Sequence, residues 1–196
     1  MRRNKQDTAE TIHKLKEVAR RHFTTEGYAD CSLEEIAKNA EVTRGAVYHH
    51  FGNKKGLFRA VLELVQNEVA QRLEEEASRS DDLWEQLYLG CRAFVTVATE
   101  PENRRIMLID GPAVLGWEEW RLMDEQQSMK LLHGQLELMQ EQGYLRNIRL
   151  EAVTHLLSGA MNEAALWLAQ IPDAENAAEA REDCLQTLRL LLDGIR

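Results

Sequence analysis

Long apolar runs and paired cysteines are both missing from this chain, and each absence excludes a class of protein. No apolar stretch approaches the roughly 20 residues that a membrane-spanning helix needs, and the first residues lack the apolar core of a secretion signal. The three cysteines, Cys31, Cys91 and Cys184, are odd in number, far apart and without CxxC spacing, which disfavours a disulfide framework. We therefore expect a reduced, cytoplasmic protein.

Proline is equally scarce, and alternating β patterns and internal repeats are absent. The three prolines, Pro101, Pro112 and Pro172, each lie between stretches of helical periodicity. The pattern predicts an all-α fold of about nine helices. The predicted helices span about 8–26, two short stretches between 32 and 51, 54–78, 83–98, 104–109 between Pro101 and an Asp110-Gly111-Pro112 turn, a long stretch ending at Gln142, 150–170 and 174–192.

Motifs that would indicate an enzyme are also absent. The six histidines show neither HExxH nor H-x₃-H spacing, and there is no glycine-rich phosphate loop or GxSxG elbow. Adjacent acids such as Glu118 and Glu119 diverge on a helix, and Cys91 lies in an apolar stripe. We predict no catalytic residue, no cofactor and no metal site. A metal site assembled from different helices is the alternative that spacing alone leaves open.

Acidic residues dominate the chain, but they are unevenly distributed. The net charge is −9, yet residues 1–60 hold 12 Lys and Arg against 8 Asp and Glu, whereas residues 61–196 hold 12 against 25. A basic segment on an acidic body is typical of a protein that binds nucleic acid at one end. The alternative explanation is that the basic residues are clustered in this segment by chance.

The most informative pattern lies within the first third of the chain. Ser32 and Glu35 predict a capping box at the start of one short helix. Thr43 offers a cap for a second short helix, which Val47 and Phe51 anchor to the same core. Two short helices joined by a tight turn form a helix-turn-helix, whose second helix enters the major groove of DNA.

This region resembles the DNA-binding domain of the tetracycline-repressor (TetR) family. The similar residues are FTTEGY (23–28), LEEIA (33–37), VTRGAVYHHF (42–51), Lys54 and Leu57. Their order and spacing match over roughly residues 10–60, beyond which only the architecture is similar. The departure at Gly52-Asn53 falls where the family varies.

The second helix of the motif carries the predicted DNA contacts. Arg44 suits guanine O6 and N7, and the helix cost of Gly45, about 1 kcal/mol relative to Ala, makes sense where backbone approaches DNA. Capping alone is the alternative for Thr43, and a solvated surface position is the alternative for Arg44. The resemblance implies phosphate contacts at Thr43, Tyr48, His50 and Lys54, and base edges at Arg44 and Gly45. The full predicted set is Thr43, Arg44, Gly45, Tyr48, His49, His50 and Lys54.

The resemblance also implies a ligand pocket in the helical region that follows the DNA-binding domain. Residues 106–121 concentrate two of the four tryptophans beside an Asp-Gly-Pro turn, and methionines elsewhere offer an adaptable lining for an apolar molecule. Packing in the core or at a dimer edge is the alternative for these tryptophans. The predicted ligand-binding residues are Met107, Asp110, Trp117, Trp120, Arg121, Met123, Met161 and Trp167.

The resemblance also implies that the last two helices pair with those of a second subunit. Small residues in the first of them would let another helix approach, while neighbouring leucines supply apolar area. Filling of the protomer's own core is the alternative. The predicted dimer residues are Leu156, Leu157, Gly159, Ala160, Ala164, Leu185, Leu188 and Leu192.

Together these features predict a three-helix DNA-binding domain over residues 1–53 and a helical ligand-binding and dimerisation domain over residues 54–196. The helix from Lys54 to about Ser78 links the two. The predicted function is that of a repressor that binds a pseudo-palindromic DNA operator as a homodimer and is released by a small, mainly apolar effector. A ligand-independent DNA-binding protein is one alternative, and an enzyme is a weaker one.

Overall fold

Helices make up most of the chain in the computed structural model, which describes the backbone of residues 2–196 and the side chains of 8–173 and 175–196. Within residues 2–196 there is no strand, and no helix is both long and apolar enough to cross a bilayer. The elements are α1 (Arg2–Thr25), α2 (Leu33–Asn39), α3 (Arg44–Phe51), α4 (Lys54–Ala77), α5 (Leu83–Ala98), α6 (Pro101–Arg104), a π-helical turn (Arg105–Asp110), α7 (Gly111–Leu115), α8 (Trp117–Gln126), α9 (Ser128–Glu141), α10 (Leu150–Ala169) and α11 (Ala174–Asp193).

The described helices form two compact units. The first comprises Met1–Val65 and Pro101–Trp120, and the second comprises Gln66–Glu100 and Arg121–Arg196. Helix α4 therefore contributes residues 54–65 to the first unit and 66–77 to the second. The domain boundary predicted after residue 53 stays a prediction.

Side-chain caps explain where several helices begin. Thr43 Oγ1 accepts a hydrogen bond from the Ala46 N–H at 3.1 Å, as the sequence predicts for a cap. Ser32 also caps α2, but it accepts from the N–H of Glu34. Within the part of the chain whose side chains are described, no bond returns from Glu35 to the Ser32 N–H. Ser32 therefore caps the helix, but the predicted capping box with Glu35 is not formed.

Aromatic side chains form the centre of the first unit. The Phe23 and Phe58 rings meet edge to face with centroids 5.1 Å apart, and the Tyr28 ring packs against Phe58 at 5.2 Å. Ile36 and Val47 are also fully buried, so α2 and α3 present their apolar sides to the same core as α1 and α4. This packing leaves the opposite side of α3 in solvent.

The chain between residues 101 and 127 differs from its predicted structure. The predicted Asp110-Gly111-Pro112 turn is wrong, because helical backbone continues through it. Pro112 lies in the first turn of α7, a position where proline is well tolerated. The predicted long helix ending at Gln142 is divided at Gln127, whose φ of −119° and ψ of −96° are not helical.

The π-helical turn is held against the end of α1 inside the first unit. The Arg105 guanidinium donates to the carbonyls of Thr25 at 3.1 Å and Glu26 at 2.9 Å, which satisfies two acceptors at the C-terminus of α1. Asp110 Oδ2 accepts from the Tyr28 N–H at 2.9 Å. Residues far apart in sequence thus form the first unit together.

In the second unit, α5 packs against α9, α10 and α11. Leu87, Phe94, Leu136 and Met139 are among its buried apolar residues. The periodicity that predicts α5, α10 and α11 is confirmed to within about a residue at each end.

Candidate functional site

The exposed side of α3 carries the predicted DNA-binding residues. Thr43, Arg44, Gly45, Tyr48 and His49 are exposed, while Val47 is fully buried beneath them. One helix face therefore anchors the motif and the other presents a hydroxyl, a guanidinium, a phenol and an imidazole to solvent. Such groups bind phosphate oxygens and base edges.

The Arg44 side chain lies within a small polar network on this face. Its Nη1 donates to Glu34 Oε1 at 2.5 Å, and its Nη2 donates to the Tyr48 hydroxyl at 3.3 Å. The guanidinium carbon lies 5.4 Å from the centroid of the Tyr48 ring. The hydrogen bond with Tyr48, followed by the charge of Glu34, raises the pKa of Arg44. Glu34 on α2 and Tyr48 on α3 thus hold the Arg44 side chain.

Glu34 is the residue at this site that sequence analysis missed. It lies on α2, ten positions before Arg44 in the chain, and its side chain is well exposed. The signal available in the sequence was an acidic residue on the outer side of the first motif helix. Its partner could not be identified, because that contact depends on how α2 and α3 pack.

Gly45 lies in open surroundings. A Cβ built on Gly45 would meet no atom nearer than Thr43 Oγ1 at 3.8 Å. Packing within the protomer therefore does not require glycine at this position.

His50 and Lys54 are less exposed than the residues on the outer side of α3. The His50 ring packs edge to face against His49 at 5.1 Å and Phe51 at 6.3 Å. Lys54 Nζ donates to the Ala29 carbonyl at 3.1 Å and lies 4.7 Å from the Tyr28 ring centroid. Lys54 consequently stabilises the loop before α2, whatever else its ammonium group binds.

The comparisons with known proteins agree with this arrangement. A family model described as "Bacterial regulatory proteins, tetR family" matches residues 15–61. A second, described as "Tetracyclin repressor-like, C-terminal domain", matches residues 84–195 and so covers more than half of the chain. The chain belongs to the TetR family. Members of this family are transcriptional regulators and not enzymes.

Individual curated relatives are similar over about half of the chain. The HTH-type transcriptional regulator AcrR of Shigella flexneri is 37% identical over 110 residues, which are 56% of this chain and 51% of that protein. The probable acrEF/envCD operon repressor of Escherichia coli K12 is 30% identical over 113 residues, 54% of this chain and 50% of that protein. The chain thus spans about half the length of the curated relatives it matches.

A solved structure extends the similarity to nearly the whole chain. A TetR-family transcriptional regulator from Pectobacterium atrosepticum is 35% identical with a TM-score of 0.82, covering 97% of this chain and 96% of that one.

The residues predicted to bind a ligand are divided between the two units of this TetR-family protein. In the first unit, Trp117 is exposed, whereas Trp120 is buried and donates from Nε1 to the Met107 carbonyl at 2.8 Å. Asp110 accepts from the Tyr28 backbone. In the second unit, Met123 is buried and Trp167 is half-exposed.

A cavity of about 80 Å³ lies within the second unit, and Met161 is the predicted residue that lines it. Its wall is mostly apolar, with contributions from α4, α5, α8, α9 and α10. The other lining residues include Leu87, Gly90, Cys91, Phe94, Met129, Leu132 and, as polar groups, Gln86, Asp124, Gln135 and Ser158. Burial raises the pKa of the Cys91 thiol to about 12, so this cysteine is neutral.

Arg121 forms hydrogen bonds with two residues that line this cavity, Asp124 and Ser158. Its Nη1 donates to Asp124 Oδ2 at 2.5 Å and to Ser158 Oγ at 3.0 Å. Asn162 Nδ2 donates to the same Asp124 oxygen at 3.1 Å. Burial raises the pKa of Asp124, and the bonds from Asn162 and Arg121 oppose that shift. Sequence analysis missed Asp124, although an acid three residues after Arg121 in an otherwise apolar stripe was a visible signal.

The predicted dimer residues divide into two groups. Four leucines are buried within the protomer, and burial there accounts for them without a partner: Leu157, Leu185, Leu188 and Leu192. Gly159, Ala160 and Leu156 are exposed, Leu156 at 72%, and Ala164 is half-buried. Leu190 and Leu191 on α11, which sequence analysis did not select, are exposed at 71% and 55%.

Proposed function

We propose that this TetR-family regulator is a cytoplasmic repressor that binds a pseudo-palindromic DNA operator as a homodimer. A small, mainly apolar molecule within the second unit releases it. The observation that carries the proposal is the exposed face of α3, where Arg44 lies beside Tyr48 and Gly45 leaves open space. Repression is favoured over activation because a bound dimer blocks a promoter without a further module, and one relative is described as a probable operon repressor.

The apolar surface of α10 and α11 supports dimerisation. Leu156, Trp167, Leu190 and Leu191 expose large apolar side chains, and exposed apolar patches are typical of interaction sites. A groove of about 280 Å³ between these helices and α5 runs past Ala160, where small side chains permit close approach. A two-fold dimer would bring two α3 helices to successive major grooves, about 34 Å apart.

The cavity in the second unit supports regulation by a ligand. Its mostly apolar wall and the polar group around Asp124 suit an apolar molecule with one polar substituent. Helix α4 lines the cavity with Leu73 and begins at Lys54 beside the DNA-binding helices. A tenfold loss of DNA affinity requires about 1.4 kcal/mol of preferential ligand binding to the released conformation.

The role of Arg44 is tested on a duplex selected from random-sequence DNA by the wild-type protein. Arg44→Ala should weaken binding about 5- to 150-fold and relax base preference at one position in each half-site. Glu34→Gln should strengthen binding, because it removes the carboxylate that competes with DNA for the guanidinium. In the Arg44→Ala background the same change should have a smaller effect. Fluorescence anisotropy titrations measure all four affinities.

Glu35→Gln is the matched control, since it removes an exposed charge from the same helix and should give no coupling with Arg44. Wild-type affinity and unchanged base preference in Arg44→Ala would refute the proposed DNA-binding face.

A further inference from the structure

Three different metal-ligating side chains converge where α1 ends and the chain turns toward α2. His22 and Glu26 lie one turn apart on α1, and Cys31 follows the turn at Gly27. One ligand atom from each lies within 4.8 Å of the other two. All three belong to the first unit, and the proposed function assigns no role to any of them.

The surroundings of His22 already resemble those of a metal ligand. His22 Nδ1 lies 2.5 Å from Glu26 Oε1, and its Nε2 lies 2.8 Å from the Asn39 side-chain nitrogen. A ligating histidine characteristically bonds a second residue through its other ring nitrogen. The side-chain amide of Asn39 offers a donor and an acceptor in nearly the same place. If this amide is flipped, its oxygen accepts a hydrogen bond from the His22 Nε2–H, and Nδ1 is then available to bind a cation.

We propose that His22 Nδ1, a Glu26 carboxylate oxygen and the Cys31 sulfur bind one zinc-type divalent cation, with water as the fourth ligand. Nitrogen, oxygen and sulfur donors together suit Zn²⁺, which accepts all three in tetrahedral geometry. The thiolate and the carboxylate neutralise the charge of the cation, so the occupied site carries no net charge in a half-buried position.

Binding requires only small movements. Metal–ligand bonds of roughly 2.0–2.3 Å require the Cys31 sulfur to lie closer to the other two donor atoms than it does now. They also require the His22–Glu26 hydrogen bond to break. The Glu26 side chain is about one-third exposed, so it is free to rotate and gives the cation a path from solvent to the buried sulfur. The cation takes the place of the Nδ1 proton of His22, which then carries its ring proton on Nε2. The net proton released to water is the thiol proton of Cys31.

An occupied site would join the end of α1, the loop at Cys31 and, through Asn39, the end of α2. Helix α3 packs against α2, which in turn packs against α1. The cation would therefore stabilise the DNA-binding part of the chain against unfolding, by a free energy that rises with the logarithm of its concentration relative to its dissociation constant.

The test is a titration of the reduced, full-length protein with Co²⁺, followed by displacement with Zn²⁺. One equivalent of Co²⁺ should produce a thiolate-to-metal charge-transfer band and the visible bands of a tetrahedral ion, and Zn²⁺ should remove both. Cys31→Ser should abolish the charge-transfer band. Asn39→Ala should weaken Co²⁺ binding about 10- to 100-fold, as expected for a residue that orients a ligand. Zn²⁺ should raise the thermal midpoint of the wild type.

Cys184→Ser is the control, because it removes a thiol that lies outside the proposed site and should leave the band unchanged. Glu26→Gln keeps a hydrogen bond to His22 at a partly exposed position, so its loss of Co²⁺ affinity is measurable in a folded protein, as circular dichroism verifies. The proposal is overturned if one equivalent of Co²⁺ gives no charge-transfer band, or if Cys31→Ser retains it.

Discussion

Gly45→Ala separates the stability of α3 from its binding to DNA, because the two should change in opposite directions. The added methyl group meets nothing nearer than 3.8 Å, so no strain opposes the better helix propensity of alanine. We expect a gain of about 0.5–1 kcal/mol in the free energy of unfolding. For a chain of this size, that gain corresponds to an increase of about 1–4 °C in the thermal midpoint.

DNA affinity should fall in the same variant. If the backbone at Gly45 approaches a base edge, the methyl group occupies space that the DNA needs. Exclusion of that contact should weaken binding about tenfold or more, equivalent to about 1.4 kcal/mol. Thermal unfolding followed by circular dichroism gives the first quantity, and anisotropy with the selected duplex gives the second.

Two other glycines provide the controls. Gly134 on α9 is exposed with no atom within 4 Å of a built Cβ, so Gly134→Ala should stabilise the protein equally and leave DNA affinity unchanged. Gly56 is the opposite case, because its Cβ would lie 2.0 Å from the Phe51 carbonyl oxygen, and Gly56→Ala should destabilise the fold. A stabilised Gly45→Ala protein with wild-type DNA affinity would show that α3 does not approach DNA at this residue.

Two further predictions concern the second unit. Ala160→Asp should convert a dimer to a folded monomer in sedimentation velocity, because it places an unpaired charge on the apolar surface of α10. The control is Ala178→Asp, which changes an exposed residue on the side of α11 away from Leu190 and should remain dimeric. A dimeric Ala160→Asp protein would contradict the proposed interface. Gly90→Leu should fill the cavity, since a Cβ there meets only Ala77 at 3.9 Å. The variant should keep its DNA affinity yet no longer be released by any apolar metabolite that a binding screen finds to release the wild type; continued release would place the ligand elsewhere.

The DNA-binding helices could be predicted from the sequence because their signals are local. The Thr43 cap and the buried Val47 lie within one turn of each other, and the structure contains both as predicted. Helix propensity, capping and apolar spacing act over a few residues, so the presence of α2 and α3 and the bounds of α5 required no knowledge of the rest of the chain.

Features that join distant parts of the chain were decided only by tertiary structure. Periodicity shows that α10 and α11 are apolar on more than one side, but packing alone determined that Leu157 is buried while Leu156 is exposed. The cluster at His22, Glu26 and Cys31 depends on the turn that returns the chain to α1. Helical backbone continues through Pro112 because the arrangement of neighbouring helices outweighed a local turn signal. Spacing along the chain specifies which residues share a helix face, whereas the burial of apolar area by the whole molecule specifies what that face meets.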